Sequence, residues 1–261
     1  MTHQDLRALA RRIELAEAEQ LARTGAPGLA GAVEIGGGLA VSKGAGSPFS
    51  TALGVGLAGP VLPADVDRIE RHLGEEGGAV RIELAAPADP GFAAELGSRG
   101  YRIDRFHQVW SRPPLPLPDA PELEVRPIAP AEQRAWADTF ANAYFGDVPA
   151  YAETIESILA MPRAEGNVCF AAFEGERMLG VAIASAFGGV ATLSGAGVAL
   201  AARGRRVQLA LVRARLAWAI ERGCDLAASA TEPGTASQRT LERAGFRCSY
   251  PRAVLLRGGE Q

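Results

Sequence analysis

The chain holds only three cysteines in 261 residues, Cys169, Cys224 and Cys248. None stands in a CxxC spacing and their number is odd, so neither a disulfide framework nor a zinc site is expected, and a reducing cytoplasm is the expected compartment. Histidine is as scarce. His3, His72 and His107 all lie in the N-terminal half, and no Ser-His-Asp arrangement or metal-ligand cluster is apparent. No apolar run reaches the roughly 18 residues of a membrane span. The first residues carry acids and place Leu6, Leu9, Ile13 and Ala16 on one helical face, unlike a secretory signal. The positive charge is mostly arginine, dispersed among acids for a net charge of −3. No polybasic patch therefore points to nucleic acid or anionic lipid. A small-molecule partner is the reading that remains.

What is present is enough apolar residue for two small cores: 48% hydrophobic against 22% charged, in a chain long for a single domain of about 100–150 residues. Arg112-Pro-Pro-Leu-Pro-Leu-Pro-Asp-Ala-Pro121 has proline at half its positions, which excludes helix and central strand and marks an extended linker. Residues 1–111, linker 112–121 and residues 122–261 are the expected divisions.

Before the linker, strands are expected at Leu29–Ile35, Leu39–Ser42, Thr51–Leu57, Val80–Ala85 and Tyr101–Trp110, with helices opened by Pro63 and by Asp89-Pro90. After it, strand Glu122–Arg126 is followed by helical stretches 130–144 and 150–159, then strands Val168–Glu174, Met178–Phe187 and Val190–Val198. Helix Val207–Arg222, strand Asp225–Ala230, helix Ala236–Ala244 and strand Phe246–Leu256 complete the order. The end of each half repeats. Leu96-Gly-Ser-Arg-Gly100-Tyr101-Arg102 matches Leu241-Glu-Arg-Ala-Gly245-Phe246-Arg247, and each helix follows an acid-Pro-Gly triplet, Asp89-Pro90-Gly91 or Glu232-Pro233-Gly234. A tandem repeat of one mixed α/β unit is the expectation.

The richest segment for chemistry is Gly197-Val-Ala-Leu-Ala-Ala-Arg203-Gly204-Arg205-Arg206-Val207-Gln208, which joins a strand to a helix N-terminus. Such a junction offers free N–H groups and about half a positive charge to a phosphate. Arg203, Arg205 and Arg206 are placed to add charge-assisted bonds, or form a solvated helix start.

With the ASQRTLERAGF helix that follows, this segment resembles the acyl-CoA signature of the GCN5-related N-acetyltransferases (GNATs), Arg/Gln-x-x-Gly-x-Gly/Ala. Its positions fall on Arg203, Gly204, Arg205, Arg206, Val207 and Gln208, with Arg206 and Gln208 where the motif has glycine. The resemblance covers the C-terminal half and, more loosely, Leu29–Arg112. It implies two tandem GNAT domains of mixed α/β fold, the first degenerate because its equivalent passage, Gly54–Pro63, contains no arginine. It further implies acetyl-CoA as cosubstrate, its pantetheine arm bonded near Val198 and Leu200, its phosphates on the 203–208 loop, and Ser237 at the last helix as a further contact. The acceptor it implies is the amine of a small molecule or peptide, with Tyr144, Phe145, Thr192 and Ser194 as its candidate contacts.

At pH 7 an alkylammonium of pKa about 10.4 must lose a proton before it attacks, so a general base would help. Strand Val190–Val198 has no carboxylate. Glu232 is the first candidate base, though an acid-Pro-Gly triplet also suits a helix cap. Tyr250 is the nearest substitute for a family tyrosine acid, whose matching position is Leu241. Two readings stay open: an N-acetyltransferase acting by direct attack, and a non-catalytic module that keeps the fold for acyl-CoA or partner binding.

Overall fold

The computed structural model describes residues 2–24, 31–44, 47, 49–74, 78–146 and 152–258. The chain divides into two compact units, one of Met1–Trp110 with Ala230–Pro233 and Cys248–Gln261, the other of Ser111–Ser229 with Gly234–Arg247.

The first unit begins with helix α1 (His3–Arg23), opened by a reciprocal cap in which Asp5 N–H donates to Thr2 Oγ1 at 3.1 Å and Thr2 N–H donates to Asp5 at 2.8 Å. Strands β1 (Gly31–Ile35), β2 (Gly38–Ser42) and β3 (Thr51–Leu53), helix α2 (Pro63–Leu73), strand β4 (Val80–Ala85), helix α3 (Pro90–Ser98) and strand β5 (Arg102–Arg112) follow. Leu29 and Ala30, expected to start β1, lie outside the described residues. The α2 face Val66, Ile69 and Leu73 packs with Ile35, Ile82, Phe92 and Leu96 into one core.

The sheet of this unit runs β1-β2-β3-β4-β11-β5, where β11 (Arg247–Arg257) is the last strand of the chain. β11 lies antiparallel to β4, with Arg252 opposite Ala85 and Leu256 opposite Arg81. The C-terminal strand therefore completes the sheet of the N-terminal unit, and the division at residues 122–261 does not describe where residues 248–258 fold.

The second unit contains β6 (Glu124–Pro127), a 3-10 turn at Pro130–Glu132, α4 (Gln133–Phe145), α5 (Ala152–Ala160), β7 (Val168–Glu174), β8 (Arg177–Phe187), β9 (Val190–Val198), α6 (Val207–Glu221), β10 (Leu226–Thr231) and α7 (Ala236–Arg243). Ala150 and Tyr151, expected to open α5, lie outside the described residues. The sheet order is β10-β9-β8-β7-β6. Trp136 and Phe140 of α4 bury against Val181, Ile183 and Phe173, and the Trp136 indole donates to the Phe170 carbonyl at 3.0 Å. Alternation sends Gly180 to the other face, where an added Cβ would lie 3.0 Å from Val207 and 3.4 Å from Leu211. Helices α4 and α6 thus cover opposite faces of β8.

The repeat is visible as matched backbone geometry. Gly100 and Gly245 close α3 and α7 with φ of 81° and 77°. Tyr101 N–H donates to Leu96 O at 3.1 Å and Phe246 N–H to Leu241 O at 3.0 Å, the bonds that stop a helix at a left-handed glycine.

Candidate active site

Strands β9 and β10 are parallel neighbours over a short stretch. Val190, Ala191 and Thr192 pair with Leu226, Ala227 and Ala228, and the backbone ladder ends there among the described residues. Beyond it the Ser229 hydroxyl donates to the Leu193 carbonyl at 2.7 Å, and β9 runs on to Val198 with only β8 beside it in this ladder. An unpaired strand edge presents N–H and C=O groups to whatever enters.

After Val198 the chain turns through Leu200–Ala202 into α6. Ala199 N–H donates to Leu179 O at 3.0 Å, Leu200 N–H to Asn142 Oδ1 at 3.2 Å, and Arg203 N–H to Leu200 O at 3.3 Å. The next N–H groups, of Gly204, Arg205, Arg206, Val207 and Gln208, donate to no acceptor among the described residues. Pairing resumes with Leu209 N–H to Arg206 O at 3.0 Å. The first turn of α6 thus offers a run of open donors together with the positive end of the helix dipole.

The arginine side chains are less free than the sequence implies. Arg203 donates to Ala143 O at the end of α4 at 2.9 Å, Arg205 pairs with Glu174, and Arg206 donates to Asp119 O at 2.8 Å. All three are exposed, so the backbone rather than these side chains forms the fixed part of this turn. Arg206 is also the non-glycine residue with positive φ among the described residues, at φ 58° and ψ 20°. That conformation costs a side-chain-bearing residue about 1–2 kcal/mol, which is why a glycine suits this place.

The remaining candidates separate. Tyr144 stacks on Phe140 with ring centroids 4.4 Å apart, and its hydroxyl donates to Ala196 O at 3.3 Å. Its ring is half exposed while its oxygen turns inward, and this burial raises its pKa, with Arg215 pulling it back. Phe145 is exposed. Val198 is half-buried at the end of β9, and Ser237 is half-buried on α7, which Thr235 caps by accepting from Gln238 N–H at 3.3 Å. Ser194 lies on β9 beyond its ladder with β10 and opposite Ile183 of β8, whereas Thr192 is buried between Ser185 and Ala228. Thr192 is therefore a buried sheet residue.

Glu232 and Tyr250 belong to the first unit. Glu232 lies 3.5 Å from Arg105 as an exposed ion pair. Tyr250 is 2% exposed and its hydroxyl donates to Glu14 at 2.8 Å. Burial, and then the neighbouring Glu14 charge, push its pKa well up. A phenol sealed against a carboxylate is not free to give its proton to a bound molecule, which speaks against Tyr250 as an acid.

In the first unit the passage that the repeat sets opposite this turn, Gly54–Pro63, is turned inside out. Arg7 of α1 donates to Gly56 O at 2.6 Å and Leu57 O at 3.0 Å, so carbonyls converge on a side-chain cation. Its amides are used as well: Gly56 N–H donates to Gly36 O and Val61 N–H to Asp89.

Residues 131–246 match the acetyltransferase (GNAT) family. This segment is a GNAT domain. The likeness in fold extends over the whole chain. A GCN5-related N-acetyltransferase from Kribbella flavida superposes with a TM-score of 0.69 at 19% identity, covering 97% of this chain and 96% of that one. A GNAT-family protein from Novosphingobium aromaticivorans gives 0.59 at 17% identity over 97% and 99%. A tandem GNAT protein from the clavulanic acid biosynthesis pathway gives 0.57 at 16% identity over 98% and 96%. At such identities the likeness establishes the tandem GNAT fold. No curated protein sequence matches the chain significantly.

Within the GNAT domain, the Arg206 conformation yields a test. Arg206→Gly removes the left-handed strain but frees the unfolded chain, which offsets it by about 0.4–1 kcal/mol. Unfolding in urea is expected to shift by less than about 1 kcal/mol. A larger loss would instead mean that the Arg206 bond to Asp119 O supports the fold.

Proposed function

We propose that the GNAT domain binds acetyl-CoA along the unpaired edge of β9 and the first turn of α6, and that it acetylates a small amine by direct attack. The run of open N–H groups from Gly204 to Gln208 carries this reading, because a cluster of unsatisfied donors at a helix start matches a diphosphate in charge and geometry. The open edge of β9 near Val198 supports a second contact, an amide-bearing arm paired like an added strand. Arg203, Arg205 and Arg206 add positive potential around the same turn.

Acetyl-CoA supplies the activated thioester. The nitrogen of the amine forms the new bond to the acetyl carbon, the carbon–sulfur bond breaks, and the amine proton passes to solvent. No carboxylate stands on β9, so the reading favours an acceptor already neutral in a useful fraction. Tyr144 and Phe145 offer it an apolar wall. Among the described residues no helix is long and apolar enough to cross a membrane, and no His/Cys/Asp/Glu group suits a metal.

Calorimetric titration with acetyl-CoA tests the binding half. Wild type is expected to bind, and the Arg203→Ala, Arg205→Ala, Arg206→Ala variant to lose at least about tenfold, roughly 1.4 kcal/mol. Release of free CoA thiol with a panel of amines tests the catalytic half. The buried Tyr250 and the ion-paired Glu232 favour the alternative of a non-catalytic acyl-CoA-binding module; binding without amine-dependent thiol release would establish it.

A further inference from the structure

Strand β9 carries an irregularity where it leaves β10. Val181 of β8 faces Gly197 and Ile183 faces Ser194, so β9 has one residue more than β8 across this interval. The extra residue sits at Gly195-Ala196, and Gly195 has φ 52°. A Cβ there would lie 2.8 Å from Ile183 Cδ1, so a side chain would have to push Ile183 aside as well as adopt a left-handed backbone.

Beneath it lies Arg215 of α6, buried at 2% exposure. Its Nε donates to Leu211 O at 3.1 Å, and its Nη1 donates both to Ile183 O at 3.2 Å and to Ser194 O at 3.3 Å. Those two carbonyls are the paired positions on either strand at which the register shifts. The bonds of this guanidinium all go to backbone carbonyls among the described residues. From the opposite face Tyr144 donates to Ala196 O, and Gly197 leaves the space that Ala143 and Tyr144 fill. A buried cation without a counter-ion is costly where a leucine or methionine would pack freely. Burial indeed pushes the Arg215 pKa down, to about 10, which leaves the group charged at neutral pH.

We propose that Arg215 is a positioning residue of the acetyl-transfer site: by gripping Ile183 O and Ser194 O it holds the β9 bulge, and so aims the backbone groups of residues 195–198 into the gap between β9 and β10. This rests on the acetyl-transfer reading above. Hydrogen-bonding carbonyls on both strands lets one side chain lock the bulge more tightly than the local backbone does, because the register shift leaves the ladder without its usual pairs.

The test compares wild type with Arg215→Met and Arg215→Lys. Amide hydrogen exchange over residues 193–198 is expected to quicken by at least about tenfold in Arg215→Met while exchange in α6 stays unchanged. The rate of amine-dependent CoA release is expected to fall by about 10²-fold, the scale of losing one aligned donor, with KM for acetyl-CoA within about threefold. Arg215→Lys, which reaches one carbonyl, is expected to recover part of both. Unchanged exchange in 193–198, or a loss of rate that only follows global unfolding, would overturn the proposal. If Arg215→Met does not fold, Arg215→Lys decides by the same two readouts. If wild type releases no CoA with any amine, the acetyl-transfer reading fails and this positioning role fails with it; faster exchange alone would then mark Arg215 as a structural support.

Discussion

Arg252→Met is expected to destabilise the first unit by about 3–5 kcal/mol at pH 8, measured by urea unfolding. Arg252 stands on β11 with 1% exposure and gathers three carboxylates. Its Nη1 donates to Glu14 Oε2 at 3.1 Å and Glu17 Oε2 at 2.9 Å, its Nη2 donates to Glu17 Oε1 at 3.0 Å, and its Nε lies 3.0 Å from Glu83 Oε2. Burial works against its charge, but Glu14, Glu17 and Glu83 outweigh this and hold its pKa well above the usual value. Methionine conserves most of the apolar volume, so the loss reads the charge rather than a cavity. Glu14 and Glu83 would be left buried with like charges facing each other. The double variant Arg252→Met, Glu14→Gln is expected to be more stable than Arg252→Met alone, because it removes the charge most completely stranded. A loss below about 1 kcal/mol would mean that the cluster opens to water when the cation is removed.

This cluster also shows what the sequence could and could not tell. Local periodicity placed β4, β7 and β9 residue for residue, since alternation and turn glycines are properties of short segments. Thr51–Leu57 was too long: β3 stops at Leu53 because Gly54 and Gly56 take positive φ and Arg7 draws the following carbonyls onto itself. The strand character of residues 247–257 was legible, but its partner was not, since a strand pattern specifies a face and not a neighbour. Tyr250 is the nearest substitute in the chain for the family tyrosine that Leu241 replaces, yet its hydroxyl meets Glu14 from the other end of the chain. The turn at 203–208 is legible as a strand-to-helix junction, whereas the partners of its arginines, Ala143, Glu174 and Asp119, are remote in sequence. Arg215 had a faint signal. Val207, Leu211 and Arg215 follow each other at four-residue spacing, so the arginine interrupts an apolar stripe.

The stability of the first unit is expected to fall as pH rises from about 4.5 to about 7, through Glu14. Full burial of Glu14 raises its pKa from 4.5 to about 7; Arg252 opposes this, while Glu17 and Glu83 reinforce it. Glu83 moves the other way, because Arg252 and His107 overcome its own desolvation. With three carboxylates around Arg252, the most deeply buried keeps its proton longest, and the Tyr250 hydroxyl remains bonded to it. In this window the folded state holds a proton on Glu14 that the unfolded state has released, so raising pH favours unfolding. The full effect is on the order of 3 kcal/mol, reached above the folded pKa and absent below the unfolded one. Glu14→Gln removes the titration, and the difference between the wild-type and variant unfolding free energies isolates it from every other group. That difference is expected to decline steadily between pH 4.5 and 7 and then level. A flat difference would show that Arg252 keeps Glu14 ionised throughout. In that case the cost of Arg252→Met would not shrink at low pH within the window, whereas a neutral Glu14 makes it smaller at pH 5 than at pH 8.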